Sequence, residues 1–266
     1  MKQISILGCG WLGLPLALSL LKKGYKIKGS TTSKEKLKTL SKVSVKPFLV
    51  ELSANRIIGE IFTFLDDSET LIINIPPGMR SNPLESFSAK IELLIPHIEK
   101  SDIQYVLFVS STSVFADHQG EVDEKTLPLP DSISGKELLK VEQLLKNNLN
   151  FKSTIVRFGG LIGPERHPVK YLAGRNNLKS GKAPVNLIHL EDCIGIIEEI
   201  LKQAAWGKVF HGVFPGHPLK KEYYSLKAEE LSLQLPVFLE EENTRYKKVI
   251  SKAVTETLHY HFQKSI

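Results

Sequence analysis

Cysteine is nearly absent: 266 residues carry two, Cys9 and Cys193. Two thiols cannot build a disulfide framework, and they are too few for a structural zinc site. A reducing, cytoplasmic setting is the expectation that follows. Charge of one sign is scarce as well. Lys and Arg number 35 against 29 Asp and Glu, a net +6 with no run of five like charges. The compact basic patches interleaved with aromatics that nucleic-acid binding asks for are therefore missing, and a mildly basic surface suits an anionic small molecule instead. Long apolar runs are also lacking. Ile4 to Leu21 come nearest, but Gly8, Gly10, Gly13 and Pro15 interrupt them and Lys22-Lys23 close the stretch without a small-x-small cleavage site. A strand and then a helix is expected there, not a leader or a membrane span.

What is present is an ordinary globular composition, 42% hydrophobic and 24% charged, enough for one large domain with a buried core. The first half alternates between two periods. Strands are expected at Gln3–Leu7, Tyr25–Gly29, Pro47–Leu52, Thr70–Ile75 and Tyr105–Ser110. Helices are expected between them at Leu12–Lys23, Lys34–Ser41 (capped by Ser33), Ile57–Leu65 and Leu84–Glu99. Strands apolar on both faces and separated by helices predict an α/β, doubly wound parallel sheet. Beyond Ser113 the pattern loosens: an irregular loop over 116–133, a helix at Lys136–Asn148 and a strand at Thr154–Phe158. Shorter elements follow: helices at Val169–Ser180, Asp192–Ala205 and Tyr223–Leu233, strands at Val185–Ile188 and Val209–Val213, and a last piece at Thr255–Phe262. Residues 1–160 read as a nucleotide-binding core and 161–266 as a smaller lobe interleaved with it.

Gly8-Cys9-Gly10-Trp11-Leu12-Gly13 is a G-x-G-x-x-G that follows a strand directly and opens a helix, the context in which this pattern marks a Rossmann dinucleotide site. Gly8 permits the tight turn, Gly10 lets a pyrophosphate reach the backbone, and Gly13 lets helix and strand approach. The helix N-terminus then favours the phosphate charge. Trp11 and Leu12 belong to the same turn, with Trp11 beside cofactor or core. Cys9, at a helix N-terminus, could have a lowered thiol pKa, although a small residue that fits is the simpler account. At the end of the second strand an acid would bind a ribose hydroxyl and repel a 2′-phosphate. Here Ser30, Thr31, Thr32 and Lys34 stand instead, which points to NADP(H) over NAD(H).

Later motifs resemble the extended short-chain dehydrogenase/reductases, the NAD-dependent epimerase/dehydratase group. Val109-Ser110-Ser111-Thr112-Ser113-Val114-Phe115 is similar to the group's strand-end SS-x-x-V-Y-G. Pro128-x-Pro130 before a helix with Glu142 is similar to its P…YGxSKxxxE segment, Val156 to Pro164 to VRxxxxYGP, and Asn186 to Asp192 to NxIHVxD. The resemblance implies that Ser111 orients a substrate, that Asn74 and Pro76 at the end of the fourth strand neighbour the cofactor ribose, and that His189 and Asp192 knit the lobe to the core. It also exposes a departure. Counting back from Glu142, the group's catalytic Tyr and Lys fall on Ser134 and Leu138. Lys136 and Lys140 lie about 100° per residue away from the required helix face. The turn departs too, with Leu7 at the first position of the common G-x-x-G-x-x-G. Both departures match the atypical members of the group, which keep the dinucleotide site and lack the pair.

The implied function is an NAD(P)-binding oxidoreductase or epimerase-like protein acting on a small polar, sugar-like molecule, nucleotide-linked forms included. The alternative is a non-catalytic NADP(H)-binding sensor. Arg166 is a candidate anion clamp, while Arg157, inside a strand, suits an ion pair better. His259 and His261 are too little for a metal site. The stripes Leu93, Leu94, Leu138 and Leu145 suit either a homodimer interface or packing on the sheet.

Overall fold

The computed structural model describes residues 2–78 and 85–266; Leu84, the predicted start of the long helix, lies outside the described residues. Strands β1 (Gln3–Leu7), β2 (Lys26–Thr31) and β3 (Lys46–Leu52) alternate with helices α1 (Gly13–Lys22) and α2 (Lys34–Lys42). Then come β4 (Ile57–Gly59), α3 (Ile61–Leu65), β5 (Thr70–Ile73), α4 (Phe87–Glu99) and β6 (Tyr105–Ser111). The chain continues through β7 (Gly120–Val122), α5 (Ile133–Asn147), β8 (Lys152–Phe158), β9 (Gly160–Ile162) and α6 (Val169–Leu172). It ends with β10 (Leu187–His189), α7 (Leu190–Lys202), β11 (Val209–Gly212), α8 (Lys220–Glu230), β12 (Lys247–Val249) and α9 (Lys252–Glu256).

The main sheet runs β11-β8-β6-β5-β1-β2-β3-β4, parallel except for the β4 edge. This is the doubly wound Rossmann arrangement. Strand order reverses at β1, so a crevice opens beyond the carboxyl ends of β1, β2 and β5, where such folds hold ligands. Alternate β1 side chains feed opposite faces. Leu7 joins the layer under α4 and α5 with Phe87, Ile91, Leu138 and Val141. Ile4 and Ile6 join the layer under α1 and α7 with Leu16, Leu20, Ile196 and Ile200. A third, small core of Ile162, Val169, Leu187, Tyr223, Tyr224 and Phe238 draws on residues from Ile162 onward. Leu94, Leu138 and Leu145 are buried in the protomer, so these stripe residues pack on the sheet. Among the described residues no helix is long and apolar enough to cross a membrane.

Four expectations need correction. Ile57–Leu65 is not one helix, because Gly59 has a φ of 105°, a conformation only glycine adopts freely. Ile57 and Ile58 pair with β3 instead, and α3 starts afterwards. The loop 116–133 contains β7, whose partner β12 lies more than a hundred residues away and was invisible to local pattern. The helix from Val169 stops at Leu172; Gly174, Asn177 and Ser180 all have positive φ. Finally, Ser33 precedes α2 in an extended conformation but its hydroxyl makes no capping bond; the Ser33 N–H donates to Thr31 Oγ1 at 3.1 Å.

A glycine turn and a cleft at the switch point

Each of the three turn glycines meets a different neighbour. Gly8 has a φ of 102°, and a Cβ there would stand 2.7 Å from the Asn74 carbonyl oxygen. A Cβ on Gly13 would overlap the Gly8 carbonyl oxygen, so these two glycines close the turn and pack α1 against β1. Gly10 is unlike them, since a Cβ there would meet nothing within 4 Å. The missing side chain of Gly10 opens onto a cleft, which is the condition for a phosphate to approach the backbone. No side chain caps α1 among the described residues, leaving its N-terminal donors to a ligand or water. The turn is braced from both sides: the Gly8 N–H donates to Ser30 Oγ at 2.9 Å, and Asn74 Nδ2 donates to the Gly8 carbonyl at 3.0 Å.

The cleft has a volume of about 360 Å³. Of the residues singled out from sequence, Leu7, Gly8, Cys9, Gly10, Ser30, Thr31, Thr32, Asn74 and Pro76 line it, while Trp11, Leu12, Gly13 and Ser111 do not. Ser30 is almost fully buried and Thr31 Oγ1 accepts from a backbone N–H, which leaves Thr32 as the exposed hydroxyl. Leu12 is buried in the core and Gly13 is buried in α1. Lys34 is exposed and does not line the cleft; Lys36, two residues further along α2, does. Sequence reasoning missed Lys36, and it missed Glu51 and Lys90, which also line the cleft. Glu51 lies near the carboxyl end of β3, a position that parallel-sheet geometry could have flagged. Cys9 is buried, and burial pushes its thiol up to about 12, so the desolvation outweighs any helix N-terminal effect.

Ser111 does not line that cleft: it ends β6, two strands along the sheet from β1, and its hydroxyl accepts from the Ser113 N–H at 3.1 Å and caps a short 3-10 turn. In α5, Ser134 is half-buried, and Leu138 is 3% exposed in the core. Glu142 has a fixed role. It accepts from Ser110 Oγ at 2.6 Å and from Arg157 Nε and Nη2 at 3.0 and 2.6 Å, all buried. Arg157 Nη1 contacts His211 Nε2 at 3.4 Å, and His211 Nδ1 meets the Ile250 carbonyl at 3.2 Å. Burial, with the Arg157 charge beside it, pushes His211 down to about 3, so the ring is neutral. Arg157 is thus a core ion pair that ties β8 to α5.

The motif at Asn186–Asp192 is structural in a similar way. His189 Nδ1 accepts from the Glu191 N–H at 3.2 Å and caps α7. Asp192, fully buried, accepts from Tyr260 Oη at 2.8 Å and from the Gln263 and Lys264 N–H groups at 2.7 and 3.2 Å. It therefore holds the C-terminal stretch against the core. Trp11 does not line the cleft but packs, half-buried, against the core layer under α1 and α7: its Nε1–H donates to the Pro164 carbonyl at 3.3 Å, and the Arg166 guanidinium lies 4.8 Å above its ring.

No protein-family model matches the chain. Protein YeeZ of Escherichia coli strain K12 is 34% identical over 240 residues, covering 90% of this chain and 87% of that protein. Among solved structures, the UDP-glucuronic acid 4-epimerase of Bacillus cereus in complex with UDP-glucuronic acid and NAD superposes with a TM-score of 0.80 at 17% identity, covering 99% of this chain and 95% of that one. A functionally unknown conserved protein from Silicibacter pomeroyi superposes at 0.79 with 21% identity, covering 99% and 94%. At these identities the structural matches speak for the fold.

Proposed function

The chain belongs to the family of Protein YeeZ, and from that premise we propose that it is a member of the epimerase/dehydratase group of the short-chain dehydrogenase/reductase superfamily and binds a nicotinamide dinucleotide in the switch-point cleft, NADP(H) in preference to NAD(H). The observation that carries the reading is Gly10, whose absent side chain faces open space while its two partner glycines are packed shut. At the end of β2 no acid stands where a ribose 2′-hydroxyl would bind, and Thr32 and Lys36 line the cleft instead. A hydroxyl and an ammonium suit a 2′-phosphate. Glu51, on the β3 side of the same cleft, is an acceptor for a base amino group.

Bound there, the nicotinamide would supply hydride exchange. Ser111 would orient the substrate, and Asn74 and Pro76 would flank the ribose. The reaction class is oxidoreductase or epimerase-like, on a small polar, sugar-like substrate; the Bacillus cereus epimerase of the same fold holds a UDP-sugar beside NAD, so nucleotide-linked sugars are the first class to test. One observation favours a second reading, a non-catalytic NADP(H) sensor: Leu138 fills the position of the group's lysine with a core side chain. A second copy of the chain is the partner inferred for the outer face of α4 and α5, where Leu93, Ile95 and Leu144 remain half-buried.

Titration of the purified protein with NADPH and then NADH, followed by nicotinamide fluorescence, tests the reading. Tight NADPH and weak NADH binding is the expected result, with Lys36→Gln narrowing the difference. Binding of neither would overturn it. Hydride transfer to a panel of nucleotide sugars then separates enzyme from sensor.

A further inference from the structure

A second cleft, of about 330 Å³, lies between the Gly163–Arg166 loop, α6, α8 and His189. It shares no lining residue with the dinucleotide cleft. The loop is rigidly made. Gly163 and Arg166 exchange backbone hydrogen bonds at 3.0 Å each way, and Glu165 holds a φ of 59°. A Cβ on Gly163 would stand 3.1 Å from the Trp11 ring, so the loop is pressed onto that indole. Arg166 is thereby fixed on the Trp11 face, and among the described residues no carboxylate pairs with it. A guanidinium already held in place loses little freedom on gripping a ligand.

The rest of the wall carries both signs, with side-chain cations in excess by one. Lys170, whose Nζ donates to the Glu165 carbonyl at 3.2 Å, and Lys227 join Arg166, against the carboxylates Glu165 and Glu230, of which Glu230 is paired with Lys227 at 2.9 Å. His167 reads the local field: burial and the neighbouring Lys227 hold its pKa below the ordinary value. Hydrogen-bond bookkeeping adds a donor. His167 Nδ1 accepts from the Val169 N–H at 3.1 Å, so the neutral ring carries its proton on Nε2 and donates it to Tyr223 Oη at 2.8 Å. The Tyr223 hydroxyl hydrogen then has no acceptor among the described residues, although the side chain is 5% exposed and lines the cleft. A buried donor without an acceptor marks a place for a ligand atom or water.

We propose that this cleft binds an oxyanion, a phosphate or carboxylate group, clamped by Arg166, Lys170 and Lys227 and oriented by the Tyr223 hydroxyl. Because Arg166 rests on Trp11 of the glycine turn, an anion there lies beside the dinucleotide site without entering it.

Calorimetric titration with inorganic phosphate at fixed ionic strength tests this. One site is expected, weakened about tenfold or more in Arg166→Gln and less in Tyr223→Phe, with circular dichroism confirming that both variants fold. Binding should persist when NADPH is present. Phosphate displaced by NADPH and indifferent to Arg166→Gln, or no phosphate binding at all, overturns the site. Competition by UDP-glucose with the same Arg166 dependence assigns the oxyanion to a nucleotide-linked ligand; phosphate binding undisturbed by UDP-glucose assigns it to a free anion, and either result keeps the site. Failure of the protein to bind NADPH would leave this titration, and its Arg166 dependence, unaffected.

Discussion

The glycine turn and helix α5 both carry motif residues but differ in what they retain. In the turn the glycine pattern is intact: Gly8 and Gly13 are packed against carbonyl oxygens, and of the three Gly10 alone is open. In α5 the residues that hold the fold remain, Glu142 in its bonds to Ser110 and Arg157, while the positions for a tyrosine and a lysine carry Ser134 and the buried Leu138. The turn's glycines and the tyrosine and lysine positions of α5 can therefore change independently in this architecture, because they lie on different elements. A motif match can be carried wholly by its structural members.

The largest effect that would probe this contrast is on the α5 side. Arg157→Ala leaves Glu142 buried without its cation, and a loss of about 3–5 kcal/mol is expected by chemical denaturation. A loss near zero would mean that the pair is not what joins β8 to α5. Leu138→Ala should cost about 3 kcal/mol as a core truncation while leaving NADPH affinity unchanged; a large fall in affinity with stability intact would place Leu138 at the ligand and break the comparison. The third effect is a pH slope. Folding lowers His211 from about 6.5 to about 3, so the unfolded chain binds the additional proton in that window. Stability is fully present above pH about 6.5 and falls by about 1.4 kcal/mol per pH unit as pH drops through it. His211→Gln should flatten that segment of the profile.

Much of this was legible in the sequence where the physical signal is local. The turn glycines, the parallel strands and the ends of β1 are set by periodicity and by steric needs within a few residues. Glu142 and Arg157 were legible as motif members, and an ion pair was one of two readings for Arg157, but nothing in the sequence named Glu142 as its partner. What was not legible depended on partners distant in sequence. β7 is a strand only because β12 returns beside it, and Lys36, not Lys34, lines the cleft. Gly59 looked compatible with a helix until its positive φ and its approach to Leu49 were seen. The Tyr223–His167 pair carried no sequence signal at all, since fifty-six residues separate its members.

The central claim is that Gly10 is open for a ligand and not for the fold. Gly10→Ala adds a single methyl group where no protein atom lies within 4 Å, at a position without positive φ. The account predicts an unchanged melting temperature together with NADPH affinity weakened about tenfold or more. A variant that binds NADPH as tightly as the parent protein would contradict it.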